Sequence, residues 1–311
     1  MTQYVWQTIA GSSALVPPGS IRGVIHFLGG AFVATAPQVT YRLLLEYLAD
    51  RGFAIVATPF FNNTLDHGEI AKATLNSFEQ ALARLRGNGQ LGPGYLPVYG
   101  LGHSMGCKLH LLIASLFEVD RAGNIFLAYN NFPAKRSVPF LERVSDGLSD
   151  PLARLREAAR DAIAETRLAD NVPADWKAGL SGLKDGLKDG LKQIDPNAIE
   201  FVPSPAETLE IVAADYPVRR NLLLRFRDDE IDQTLTLRKL LVQKFGQLVS
   251  YRTLNGNHLT PVGQDLRWTV GESFSPLDAV GQWMRQGVYQ DLDDLKREVA
   301  RWLDPTATGL Q

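Results

Sequence analysis

One cysteine, Cys107, in 311 residues leaves no internal disulfide framework. A lone thiol fits a reducing compartment, and its plainest reading is a small residue of the core. No run comes near the roughly 20 apolar residues of a membrane span. Met1 to Trp6 carry no basic stretch and no long apolar core, so a secretory signal is not expected. Charge of one sign is lacking too: 32 Lys and Arg against 34 Asp and Glu leave a net charge of −2, which gives no reason to expect a nucleic-acid partner. No spacing of His, Cys, Asp or Glu reads as a metal site. Neither a Walker nor a dinucleotide fingerprint is present, so no cofactor is expected. The expected location is cytoplasmic, or the stroma of a plastid for a mature organellar form.

What is present is the composition of an ordinary globular protein, with 45% hydrophobic and 21% charged residues. The length suits one large α/β domain with or without an insertion. Apolar runs at Arg22 to Leu28, Phe53 to Pro59, Leu96 to Leu101, Asn124 to Tyr129, Asn221 to Phe226 and Gln247 to Leu254 read as buried strands. Helical patterns separate them, at Gln38 to Arg51 and Asp66 to Arg86 among others. That alternation predicts a mostly parallel sheet covered by helices on both faces, with Val5 to Ile9 as part of an antiparallel edge.

The run Leu96 to Leu101 leads into Gly102-His103-Ser104-Met105-Gly106, and a helical apolar pattern from Met105 to Phe117 leaves it. A G-x-S-x-G turn between strand and helix holds its serine in a strained, exposed corner, and small residues flank it because larger ones would strike the neighbouring strand and helix. Five residues are weak evidence until an acid and a histidine follow in order. Asp228, Asp229 and Asp232 follow the strand at Asn221 to Phe226, and His258 follows the strand at Gln247 to Leu254. All of these sit at strand C-terminal ends, where open α/β sheets gather their ligand-handling groups.

A serine hydroxyl needs a neighbouring imidazole to take its proton, and His258 is the candidate base for Ser104. The other four histidines have poorer claims: His26 ends a strand, His67 starts a helix, and His110 lies on the helix after the elbow. His103, inside the elbow, is expected to touch the wall of the substrate pocket, as is Phe32. Asp229 is favoured as the acid, through the pattern Phe226-x-x-Asp229-x-Ile231, with Asp228 and Asp232 as alternatives and a merely solvated acidic loop as the bland reading. The oxyanion of an acyl-transfer intermediate needs two aimed N–H groups. Met105, first on the helix, is one candidate, and Gly30 or Ala31 in the loop after the first parallel strand is the other.

Residues 133–203 break the pattern, with charged helical segments and no convincing strand. An insertion there is expected to form a helical lid (133–203) on a core of residues 1–132 and 204–311. Its oddest part, Gly179 to Lys192, places Leu180, Leu183, Leu187 and Leu191 in one row beside Gly182, Gly186 and Gly190. Each glycine costs about 1 kcal/mol of helix stability, so this is a soft helix that depends on its packing. Packing on the core is its plain reading; transient contact with a membrane surface or an acyl chain, or a dimer contact, are the alternatives.

These residues resemble the α/β-hydrolase superfamily. More narrowly, His26-Phe27-Leu28-Gly29-Gly30-Ala31-Phe32, Ala36 to Arg42, Gly102 to Gly106 and Arg225 to Asp232 are similar to the DUF1350 family of cyanobacterial and plant-plastid proteins. The resemblance implies a photosynthetic source and a serine-hydrolase architecture. Phe27 stands where many hydrolases place the glycine of a His-Gly pair, which makes the oxyanion donor less defined than the nucleophile. The expected activity is hydrolysis of a carboxylic ester or thioester on a small or lipid-like substrate, with a hydrophobic acyl or isoprenoid group. Acyl transfer on the same triad and a non-catalytic binding role are the competing expectations. Fold alone does not choose among them.

Overall fold

The apolar runs become eight strands of a single sheet in the computed structural model, which describes residues 4–31, 34–60, 64–134, 200–263 and 276–306, the side chains of 276–288 excepted. The strands are β1 (Gln7–Ile9), β2 (Ser12–Leu15), β3 (Gly23–Leu28), β4 (Phe53–Ala57), β5 (Val98–His103), β6 (Gly123–Leu127), β7 (Asn221–Phe226) and β8 (Val249–Leu254). Their order across the sheet is β1-β2-β4-β3-β5-β6-β7-β8. The pairs β1–β2 and β2–β4 are antiparallel, and every pairing from β4 to β8 is parallel. This is the arrangement that the alternating pattern predicts, with β1 and β2 forming the antiparallel edge.

The described helices are α1 (Pro37–Thr40), α2 (Arg42–Ala49), α3 (His67–Gly87), α4 (Met105–Leu116), α5 (Pro205–Asp215), α6 (Thr234–Phe245) and α7 (Pro276–Leu303). Two features differ from the sequence reading. The helix expected over Gln38 to Arg51 is broken at Tyr41, whose backbone leaves helical geometry (φ −116°, ψ 17°) while its side chain is fully buried. The long α7, which the sequence reading did not single out, anchors its end by burying Leu295 and Val299 and by setting Trp302 beneath the Arg220 guanidinium, 3.9 Å from the ring centre.

Alternation along the strands divides the core in two. One face gathers Val24, Val56 and Val98 with α3 and α4, and Phe126 and Leu223 with α4, α5 and α6. On the other face Phe27 meets the Tyr41 ring and Tyr99 meets Trp302. A polar row crosses the first face in register: His26 beside Gly100, Gly100 beside Asn124, Asn124 beside Asn221. Gly100 has no side chain because the Asn124 amide oxygen and the His110 ring occupy the space where a Cβ would stand. Tyr216 ties the row together, accepting from the Asn124 amide at 2.7 Å and donating to Asn221 Oδ1 at 2.6 Å.

Two compact units divide the chain: Met1–Phe61, Gly68–Asn131 and Glu207–Gln311 form one, and Asn62–His67 with Phe132–Ala206 form the other. In the smaller unit, Val202 pairs with the segment before α3, donating to the Leu65 carbonyl at 2.8 Å and accepting from the His67 N–H at 2.7 Å. The Phe201 ring stacks on His67 with centroids 4.2 Å apart. Most of the expected lid, including the leucine row from Leu180 to Leu191, lies outside the described residues. Among the described residues no helix is long and apolar enough to cross a membrane.

Candidate active site

Ser104 stands between β5 and α4 with φ 54° and ψ −118°, a left-handed conformation that costs a non-glycine residue of order 1–3 kcal/mol. The larger unit holds that strain in place: the Ser104 N–H donates to the Leu127 carbonyl at 2.9 Å, and its own carbonyl accepts from Cys107 N–H at 3.0 Å. The flanking glycines are steric necessities. A Cβ at Gly102 would lie 2.6 Å from the Cys107 nitrogen, and one at Gly106 would lie 2.1 Å from the Leu28 carbonyl oxygen. Cys107 itself is a buried packing residue whose thiol points at the carbonyls of Gly102 and Leu127.

His258 lies in the turn after β8, and that turn is pinned at both ends. The Asp228 N–H donates to the Gly256 carbonyl at 2.9 Å, the Asn257 N–H to Thr260 Oγ1 at 2.9 Å, and the Leu259 N–H to Asn257 Oδ1 at 2.9 Å. The His258 ring bridges the serine and the acid. Its Nε2 is 3.0 Å from Ser104 Oγ, and its Nδ1 is 2.8 Å from Asp229 Oδ2. The carboxylate accepts the Nδ1 proton, so Nε2 is left to accept the serine O–H.

The three aspartates after β7 separate by what they touch. Asp229, with a fully buried side chain, faces His258 and also accepts the Ile231 N–H at 3.0 Å. Asp228 is exposed. Asp232 lies just before α6 and bonds Thr234, the first residue of that helix, accepting from its N–H at 3.1 Å and from its hydroxyl at 2.6 Å. Burial pushes the Asp232 carboxyl above its ordinary range, against the opposing hydrogen bonds from Thr234.

Met105 opens α4, where the first N–H groups of a helix have no carbonyl of their own turn to meet. Gly30 lies directly over the elbow: a Cβ there would meet the His103 ring at 3.2 Å and Ser104 Cβ at 3.4 Å. Its N–H, however, donates to the Tyr41 hydroxyl at 2.8 Å, so in this conformation that donor is already engaged. Ala31, half-buried, is the next residue of the same loop, and Phe32 lies outside the described residues.

His103 has a different place from the expected pocket wall. It is 1% exposed, and both ring nitrogens are bonded within the protein: Nδ1 to the Tyr41 hydroxyl at 2.8 Å and Nε2 to the His258 carbonyl at 2.9 Å. Burial, reinforced by the nearby His258, holds His103 well below the ordinary histidine range, so it is neutral. Two residues at the site were missed by sequence reasoning. Asn130 follows β6 and donates its Nδ2–H to Ser104 Oγ at 3.0 Å; its position just past a strand end at the same sheet edge is the signal that would have found it. Tyr41 is the other, and a tyrosine in an amphipathic helix carries no such signal. Among the described residues no group of three or more His, Cys, Asp or Glu side chains converges as metal ligands would.

The family model described as "Protein of unknown function (DUF1350)" matches residues 5–305. Among curated proteins no match is found. Among solved structures, a soluble variant of monoglyceride lipase from Saccharomyces cerevisiae, in complex with a substrate analog, is similar at 12% identity and a TM-score of 0.53, covering 98% of this chain and 96% of its own. Fluorophosphonate-binding serine hydrolase F of Staphylococcus aureus, substrate bound, is similar at 10% identity and a TM-score of 0.48, covering 93% of this chain and 97% of its own. The likeness to the lipase establishes the α/β-hydrolase fold and nothing finer.

Proposed function

The chain belongs to the DUF1350 family, and we propose that it is a serine hydrolase that cleaves a carboxylic ester or thioester through an acyl-enzyme on Ser104. One observation carries this reading: a continuous hydrogen-bonded line from Ser104 Oγ through His258 to the buried Asp229, with both contacts at 3.0 Å or less. A protein that used the fold only to bind would have no physical need to hold a serine in a strained turn against a histidine with an acid behind it.

In the first half-reaction the Ser104 oxygen attacks the substrate carbonyl as its proton passes to His258 Nε2. Asp229 keeps the ring in the required tautomer and stabilises the imidazolium that forms. The carbonyl oxygen becomes an oxyanion, to which the Met105 N–H and the Ala31 N–H are assigned as donors. Gly30 joins them only if Tyr41 releases it. His258 then gives its proton to the departing alcohol or thiol. In the second half-reaction water attacks the acyl-enzyme as His258 takes its proton, and His258 then returns that proton to Ser104 Oγ, which leaves as the free hydroxyl while the carboxylic acid is released. Asn130 donates to the serine oxygen beside His258 and helps to orient it for attack.

The apolar residues of the expected lid, residues 133–203, favour a hydrophobic acyl or isoprenoid group over a small polar one. Purified protein is to be tested on p-nitrophenyl esters and on thioesters of increasing acyl length, beside Ser104→Ala and His258→Ala. Turnover that rises with chain length in the native protein and vanishes in both variants is expected. Turnover that survives in Ser104→Ala contradicts the proposal.

A further inference from the structure

We infer that Tyr41 and His103 form a positioning pair that holds the His258 turn in register with Ser104, linking the loop after β3 to the loop after β8 behind the nucleophile. This inference rests on the serine-hydrolase reading of the site.

Three hydrogen bonds carry it: Gly30 N–H to the Tyr41 oxygen at 2.8 Å, the Tyr41 hydroxyl with His103 Nδ1 at 2.8 Å, and His103 Nε2 with the His258 carbonyl at 2.9 Å. Their directions follow from chemistry. The His258 carbonyl can only accept, so His103 Nε2 carries the ring proton. His103 Nδ1 must then accept, so the Tyr41 O–H donates to it. The Tyr41 oxygen is left to accept the Gly30 N–H. Every donor has one acceptor, and a second proton on His103, at Nδ1, would reverse its bond to Tyr41 and leave the Tyr41 O–H without that acceptor.

The surroundings fit this one protonation pattern. Tyr41 is fully buried and His103 is 1% exposed, so neither side chain is placed to meet substrate. Burial pushes the Tyr41 phenol far up and the His103 imidazole far down, which keeps both neutral. The His103 and His258 ring centres are 5.0 Å apart. When His258 becomes an imidazolium during acyl transfer, a neutral His103 adds no second positive charge beside it. The need for such a brace follows from the topology. β8 is an edge strand, paired among the described residues only with β7, and its residues are half-buried or exposed. The turn that carries the base therefore stands at a margin of the sheet, and beside its own local bonds the His258 main chain is tied back to the elbow through His103.

The test compares Tyr41→Phe, His103→Leu and His103→Gln with the native protein, by the rate of labelling with a fluorophosphonate probe and by kcat and KM on a p-nitrophenyl ester. His103→Leu is expected to lose about 100-fold in labelling rate and in kcat, with KM within about twofold, because a base misplaced by an ångström costs on that order. His103→Gln keeps an N–H that reaches the same carbonyl, so it is expected to recover most of the rate. Tyr41→Phe is expected to fall between the two. Native kcat in His103→Leu, or an equal loss in His103→Leu and His103→Gln, overturns the inference.

A measurement on the native protein alone separates failure of this inference from failure of the hydrolase reading. Nitrogen-15 NMR of the His103 ring is expected to show a neutral Nε2–H tautomer that does not titrate near the ordinary histidine value of about 6.5. The Nδ1–H tautomer, or titration near that value, overturns the pair whether or not the enzyme turns over. Absence of labelling in native protein with the expected His103 tautomer would instead count against the hydrolase reading and leave the pair intact.

Discussion

Mild acid should destabilise this protein through its buried histidines. Burial and neighbouring positive or imidazole groups push three histidines down: His26, His103 and His110, the last to about 3. His26 accepts a hydrogen bond from the Arg121 guanidinium at Nδ1, at 3.2 Å, so a proton there would remove the acceptor and set two cations together. His110 lies edge-on to His26 with ring centres 5.0 Å apart. A histidine depressed in the folded state stays neutral there while the unfolded chain takes up its proton, so stability is complete above the unfolded value of about 6.5 and falls as pH drops below it. Between pH 7.5 and 5.5 each of the three should cost about 1.4 kcal/mol, and together about 4 kcal/mol, a large share of the 5–15 kcal/mol that holds a typical fold. Asp232, raised by burial, works with the opposite sign. Urea unfolding followed by circular dichroism at the two pH values reads the loss directly. His110→Gln should remove about a third of the pH dependence. Equal stability at pH 7.5 and 5.5 in the native protein would refute the reasoning.

Gly106→Ala should cost about 3 kcal/mol or more, since its Cβ would stand 2.1 Å from the Leu28 carbonyl oxygen; a melting temperature close to the native one would contradict that. Asp229→Asn should leave the fold intact but lower kcat by about 10³-fold or more, because the amide favours the wrong imidazole tautomer. Asp232→Asn should lower kcat little and stability by about 1 kcal/mol through the weakened hydrogen bonds to Thr234, so an activity loss equal to that of Asp229→Asn would reverse the assignment of the acid. Asn130→Ala should slow labelling of Ser104 by about fivefold, the worth of one hydrogen bond near 1 kcal/mol, with no change in melting temperature; an unchanged labelling rate would remove Asn130 from the site.

Much of this was legible in the residues because the constraint was local. Gly102 and Gly106 announce the elbow, since no side chain fits beside Cys107 nitrogen or the Leu28 carbonyl. Buried strands such as Asn221–Phe226 read as continuous apolar runs because a parallel sheet covers both of their faces. The order of serine, acid and histidine could be read because each ends a strand. Roles set by tertiary contact were not legible. Tyr41 breaks its helix in order to reach Gly30 and His103, a reason that lies outside its own segment. The Gly30 N–H was expected to face substrate, and nothing in its own sequence reveals that a tyrosine hydroxyl claims it. His103 was assigned to the pocket wall by its place next to Ser104. In a strand successive side chains point to opposite faces, and this one turns toward the His258 carbonyl.

The most direct measurement of the central claim is intact-mass and peptide analysis after fluorophosphonate labelling of native protein, Ser104→Ala, His258→Ala and Asp229→Asn. The predicted result is one adduct per chain, located on Ser104, absent in Ser104→Ala and His258→Ala and strongly slowed in Asp229→Asn. An adduct on another residue, or labelling of Ser104 at the native rate without His258, would contradict an activated serine at this turn.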